Sequence, residues 1–339
     1  MDNQRTPRNY STGTVKRDNR QQQQKLVVIL ICIVIALLLV VFMTIIGVKI
    51  VQALSGGFRN ADPSAVVYKD VTIDKAQTLY GPLALVNDTH EYAFPEEPTK
   101  NLTNVSGYRA SHSNPDKIPY KLSTNALLLD GAALSAMHEW LTDFYNDTQK
   151  RDVIISSAYR TKEEQASFLT PVGKSDHHTG YGVTLKIYAD QITSDIVSDP
   201  TYYTWLTEHA HKYGFVQRYP EGKETITGIS DYVEYFHFVG YGPAMYMKQN
   251  NLCLEEFVAE IKAYTHNNPL KITDANGQDW LIYYTACPND MATVKLPTNF
   301  TYTVSGDNEG GIIVCVSLSK TAVEQQQQQQ QSDSESAAQ

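Results

Sequence analysis

With 339 residues, 42% of them apolar, the chain is too long for a small stapled peptide and long enough for one membrane span plus a globular domain with its own core. Residues 1–25 carry a net charge of +4 and the part beyond residue 48 a net of −13, which argues against nucleic acid as a partner. Four cysteines, one of them Cys32 inside an apolar run, leave an odd number for the rest of the chain, so at most one intrachain pair forms there.

Residues 1–25 are polar and Gln-rich and read as a disordered cytoplasmic tail. The unbroken apolar run 26–48 reaches roughly 34 Å as a helix, enough to cross a bilayer and longer than the hydrophobic region of a cleaved signal peptide. The positive-inside rule then keeps the basic tail in the cytoplasm and sets the carboxyl-terminal bulk outside, as a single-pass protein of the cell membrane. Residues 49–80 read as a stalk.

Asp130 opens a segment with Ala133, Met137, Leu141 and Phe144 at three- and four-residue spacing, an amphipathic helix with an acidic N-cap. His138 and Trp140 on it read as packing or surface residues. The run Asp152-Val153-Ile154-Ile155-Ser156-Ser157 predicts a buried strand and residues 162–169 a helix, and the irregular order of elements predicts an α+β domain over 81–268. A second helix is expected over 254–264. Strand-like runs at 279–284, 299–304 and 311–316 make 269–320 a small β appendage, in which Cys287 and Cys315 are candidates for a disulfide. A seven-glutamine run opens the disordered tail over 321–339.

Three pieces carry chemistry. Arg160, closing Ser157-Ala158-Tyr159-Arg160 where a strand gives way to a helix, can project a guanidinium fork toward a carboxylate, although a structural ion pair explains it equally well. Ser175-Asp176-His177-His178-Thr179-Gly180 sets two imidazoles beside small residues that admit a metal or a substrate. Glu234-Tyr235-Phe236-His237 offers a general base near a zinc ligand, but in a strand a residue and the third one after it point to opposite faces.

In order and spacing these pieces resemble the VanY-type D-alanyl-D-alanine carboxypeptidases, zinc enzymes that trim the terminal D-alanine from peptidoglycan stem peptides. Gln165, Tyr213-Gly214-Phe215, Arg218-Tyr219-Pro220-Glu221-Gly222-Lys223, Ile226-Thr227-Gly228 and Val239-Gly240 extend the resemblance, which covers about residues 80–265. It implies a VanY/Hedgehog-like fold, a small antiparallel sheet flanked by helices. It also implies Arg160 as a catalytic residue and Ser157, Tyr159, Gln165 and Ser175 as substrate-binding residues.

The family binds zinc through the His of a Ser-x-His-x-x-Gly-x-Ala-x-Asp motif, its closing Asp, and the His of a later Glu-Pro-Trp-His motif whose Glu is the base. Here His177 stands at the first ligand position, but Thr184 stands where the Asp is expected. An ungapped match puts Tyr232 at the base and Tyr235 at the second zinc His. A two-residue shift restores Glu234 as base and His237 as ligand, at the cost of compensating gaps and rearranged strand pairing. The ungapped register is preferred, and with it a catalytically degenerate domain that still engages stem peptides. The alternative is an active zinc D,D-carboxypeptidase that uses Glu234, His177 and His237. Zinc is expected only if that alternative holds.

Overall fold

The computed structural model describes residues 65–95, 101–115, 117–230 and 232–320. Both tails and the apolar run 26–48 lie outside the described residues, among which no helix is long and apolar enough to cross a membrane.

Fourteen strands follow in order: β1 Tyr68–Asp74, β2 Leu102–Asn104, β3 Lys121–Leu122, β4 Leu128–Asp130, β5 Val153–Ser157, β6 Gly182–Ala189, β7 Ile192–Asp195, β8 Phe215–Gln217, β9 Tyr235–Phe238, β10 Leu270–Thr273, β11 Asp279–Ala286, β12 Met291–Pro297, β13 Phe300–Gly306 and β14 Gly311–Lys320. The central sheet runs β3-β5-β6-β9-β8, with β7 folded back on β6. Its pairings are antiparallel except β3 with β5, so the sheet is mixed and not purely antiparallel as expected. The β6–β7 turn is made by Asp190 and Gln191, both at positive φ, the backbone that a tight two-residue hairpin requires.

The period of two along a strand decides which residues face the core. Val183, Leu185 and Ile187 of β6, Phe236 and Phe238 of β9 and Phe215 of β8 share one buried cluster with the helix Gly131–Thr148 and the helix Pro200–His209. Asp130 caps the first of these helices by accepting from the Ala132 and Ala133 amides, as its sequence predicts. Trp140 and His138 are both buried packing residues, Trp140 stacking 5.3 Å from Phe215 and meeting Phe236 edge-on at 5.0 Å. The other face of β6 and β9 is left for Thr184, Lys186, Tyr235 and His237.

Beyond the helix Leu254–Ile261, the sheet β10-β11-β14-β13 and the β1-β12 pair enclose a second apolar layer that includes Val294, Leu296, Tyr283 and Val314. Here the structure differs from the stalk expected over 49–80. Residues 68–74 pair along their whole length with β12, because Val71 and Ile73 alternate with polar residues and bring an apolar edge to that layer. The appendage is also not separate from the rest, since Leu83 and Leu85 share a core with Phe257, Ile272 and Ile282.

Cys253, Cys287 and Cys315 are all buried free thiols. Cys315 lies opposite Ile282, and Cys287 follows five positions later in the chain, roughly 17 Å along the strand direction and far beyond disulfide reach. The helix expected over 162–169 is a single turn, Lys162–Gln165, closed by a Thr161 and Glu164 capping box.

Candidate active site

The cleft has a volume of about 570 Å³ and lies over the outward face of β6 and β9. The turn Asp176–Thr179, stopped by Gly180 at φ 77°, forms one wall, and Arg160, Tyr219 and Tyr232 contribute others.

His177 is buried and held at both nitrogens. Its Nδ1–H donates to the Ala158 carbonyl at 2.6 Å, because that oxygen can only accept, so Nε2 carries the lone pair. That lone pair meets the Tyr232 hydroxyl at 3.1 Å and the Thr184 hydroxyl at 3.4 Å, and the two hydroxyls lie 2.7 Å apart. A chain in which Thr184 donates to Tyr232 and Tyr232 donates to His177 satisfies all three groups. Burial, seconded by the Arg160 charge, pushes the His177 pKa down to about 3, so the ring is neutral at physiological pH. Burial likewise raises the Tyr232 and Tyr235 phenols above their ordinary value and keeps them protonated.

The strand register places the remaining candidates. Tyr235 is the partner of Thr184 across β6 and β9, and His237 is the partner of Gly182. The Tyr235 ring lies 4.5 Å from that of His177, and its hydroxyl donates to Asp176 Oδ2 at 2.8 Å. Gly182 makes this possible, since a Cβ there would overlap the Tyr235 hydroxyl.

His237, fully buried, faces two acceptors, Asp176 Oδ2 at 2.6 Å from Nδ1 and the Pro82 carbonyl at 2.9 Å from Nε2. It meets both only with a proton on each nitrogen. Glu234 pairs with Lys186 at 2.9 Å, and Lys186 also pairs with Asp195. The structure therefore brings His177, Thr184, Tyr232 and Tyr235 together and directs His237 and Glu234 to other partners.

Asp176 joins these parts. Burial raises its pKa, but His237, Arg218 and Tyr235 outweigh that and hold the carboxyl well below the usual range. Arg218, itself without exposed surface, reaches Asp176 Oδ1 at 3.2 Å and grips Glu255 through two bonds of 2.9 and 2.7 Å. Two buried carboxylates thus share the Arg218 guanidinium, and one of them also meets His237. Sequence reasoning missed Arg218 and Glu255. The available signal was a lone arginine among the apolar residues of the 215–219 run.

Arg160 lines the cleft, with Nε donating to Ser157 Oγ at 2.9 Å, Nη1 to Gln165 Oε1 at 3.2 Å and its plane 3.7 Å over the Phe168 ring. No carboxylate among the described residues forms an ion pair with it. Ser157 and Ser175 line the cleft, whereas Gln165 is fully buried and supports Arg160 from behind while donating to the Thr170 carbonyl. Tyr159 stands outside the lining, its amide bonded to the Leu128 carbonyl. His178 is a structural residue, donating to the Arg160 carbonyl and accepting from the Gly173 amide.

A metal requires more than this donor set supplies. Among the described residues no group of three His, Cys, Asp or Glu side chains comes together, and the neighbours of His177 Nε2 are neutral hydroxyls, poor replacements for a carboxylate and a second imidazole.

Fold and cleft together define a peptidase-like α+β domain. Residues 95–241 match the VanY family, described as D-alanyl-D-alanine carboxypeptidase. A D-alanyl-D-alanine carboxypeptidase of Enterococcus faecium is 28% identical over 262 residues, which cover 73% of this chain and 79% of that protein. The putative carboxypeptidase YodJ of Bacillus subtilis (strain 168) is 25% identical over 200 residues, 56% of this chain and 72% of that one. The vancomycin resistance D,D-dipeptidase VanXYg, solved in complex with a D-Ala-D-Ala phosphinate analogue, shares the fold with a TM-score of 0.63 at 24% identity, over 74% of this chain and 99% of that chain.

Two predictions follow from the geometry. Gly182→Ala should cost about 1–3 kcal/mol in denaturant unfolding by displacing Tyr235, and clearly less in a Tyr235→Ala background, where the crowded ring and hydroxyl are both absent. Between pH 6.5 and 3 the unfolded chain binds a proton at His177 that the folded one does not, and below about 4 the same becomes true at Asp176. Stability should therefore fall as pH drops through this window, and His177→Gln should flatten the fall by up to about 1.4 kcal/mol per pH unit in urea titrations.

Proposed function

We propose that this domain binds the carboxyl-terminal end of peptidoglycan stem peptides and no longer hydrolyses it by zinc chemistry. The observation that carries this reading is the hydrogen-bonded set of His177, Tyr232 and Thr184, which engages the lone pair a metal would need. Acid–base work by the same residues is disfavoured, because His177 is a weak base at a pKa of about 3 and the Tyr232 phenol holds its proton. Binding has support of its own. The relatives are named as D-Ala-D-Ala carboxypeptidases, the cleft has room for a short peptide end, and Arg160 offers an uncompensated guanidinium to a terminal carboxylate.

The competing reading, an active zinc D,D-carboxypeptidase, draws on the activity those relatives are named for. It requires His237 and Glu234 to leave Asp176, Pro82 and Lys186. In either case we propose that residues 26–48 anchor the chain, with the domain on the outer side of the membrane, where such peptides are found.

Purified full-length chain should hold no stoichiometric zinc and release no D-alanine from a peptide ending in D-Ala-D-Ala, yet bind that peptide with an affinity that falls about tenfold or more in Arg160→Lys. Repairing the site with Thr184→Asp, Tyr232→Glu and Tyr235→His should introduce zinc binding. Chelator-sensitive release of D-alanine by the unmodified chain would establish the enzyme reading instead.

A further inference from the structure

Three cationic side chains line the cleft: Arg160, Lys174 and Lys186. They differ in how far their charge is already answered. Lys186 is compensated twice, by Glu234 at 2.9 Å and by Asp195. Arg160 has neutral hydrogen-bond partners. Lys174 has a contact of 3.7 Å to Asp88, whose side chain is 76% exposed, and an ion pair that long and that solvated contributes little. The cleft therefore presents two positive charges with no strong partner, within a part of the chain whose overall charge is negative.

Their positions give the second charge a role. A smaller cavity of about 250 Å³ adjoins the first and shares Leu169, Thr170, Lys174 and Ile229 with it, so the two form one groove and Lys174 stands at the junction. The His177 and Arg160 end takes a chain terminus on the reading above. A peptide that runs from that terminus into the smaller cavity passes Lys174. Leu169 is fully exposed and Phe168 half exposed on the same lip, apolar surface that a bound peptide would cover.

We propose that Lys174 reads a second carboxylate on the ligand, so that the groove selects peptides that end in a free carboxylate and carry an acidic residue upstream of it. The ligand carboxylate takes the place of Asp88 beside the ammonium. This rests on the reading of the cleft as a peptide site and names the class of peptide it prefers.

The test is calorimetric titration of the full chain with two tetrapeptides that end in D-Ala-D-Ala and differ upstream by glutamate against glutamine, in low and in moderate salt. The glutamate peptide should bind roughly three- to tenfold more tightly, the advantage should shrink with salt, and in Lys174→Gln the two peptides should bind equally. Lys174 is a surface residue whose side chain supports no other element, so the variant should fold. Equal binding of the two peptides, with Arg160→Lys still weakening both, overturns the role of Lys174 and leaves the peptide site standing. A glutamate preference that survives in Lys174→Gln overturns it too. Failure of both peptides to bind the unmodified chain overturns the peptide site and this proposal together.

Discussion

The buried carboxylate of Asp176 is the constraint on which the site depends. It receives Arg218, Tyr235 and His237 at a buried position, and through Arg218 it is tied to Glu255 on the helix Leu254–Ile261. Such a network gives little net stability, because desolvating its charges offsets most of their attraction, but removing one member leaves an unpaired buried charge and costs several kcal/mol. Its effect is on geometry. The turn that carries Asp176 also carries His177, so fixing the carboxylate fixes the imidazole against the Ala158 carbonyl and aims Nε2 at Tyr232. The same carboxylate holds Tyr235 in the space that Gly182 leaves open.

Hydroxyls surround the free nitrogen of His177. Tyr219, Tyr232 and Tyr235 lie nearly parallel, with neighbouring centroids 5.2 to 5.8 Å apart, and fill the side of the cleft where a base and a second imidazole are expected from the family resemblance. Each replacement is matched by a neighbour: glycine at 182 admits the Tyr235 hydroxyl, Thr184 meets Tyr232, and His237 answers the charge of Asp176. The polar atoms of His177, Thr184, Tyr232 and Tyr235 are all partnered within the cleft wall.

Much of this was legible in the sequence wherever periodicity or capping spoke plainly. The Asp130 cap, the helix behind it and the β5 strand fall where their patterns put them. What was not legible depended on partners distant in the chain. Residues 68–74 look like a stalk until β12, more than two hundred positions later, supplies an edge for them. His237 looks like a ligand until Asp176 and Pro82 claim both its nitrogens. Arg218 stands out as a lone arginine in its run, but its partners stay hidden, because its two carboxylates come from a turn and a helix on either side of it in sequence. The cysteine pair failed for a metric reason, since proximity in sequence says nothing of the rungs between two strand positions.

The protonation states of the two histidines bear most directly on the account. Nitrogen-15 NMR of imidazole-labelled chain at pH 7, before and after one equivalent of zinc, reads both. His177 should carry a proton on Nδ1 alone, with neither histidine's spectrum altered by the metal. A zinc-induced shift of His177 Nε2 together with a His237 nitrogen would contradict the hydroxyl-filled site and place a metal between them.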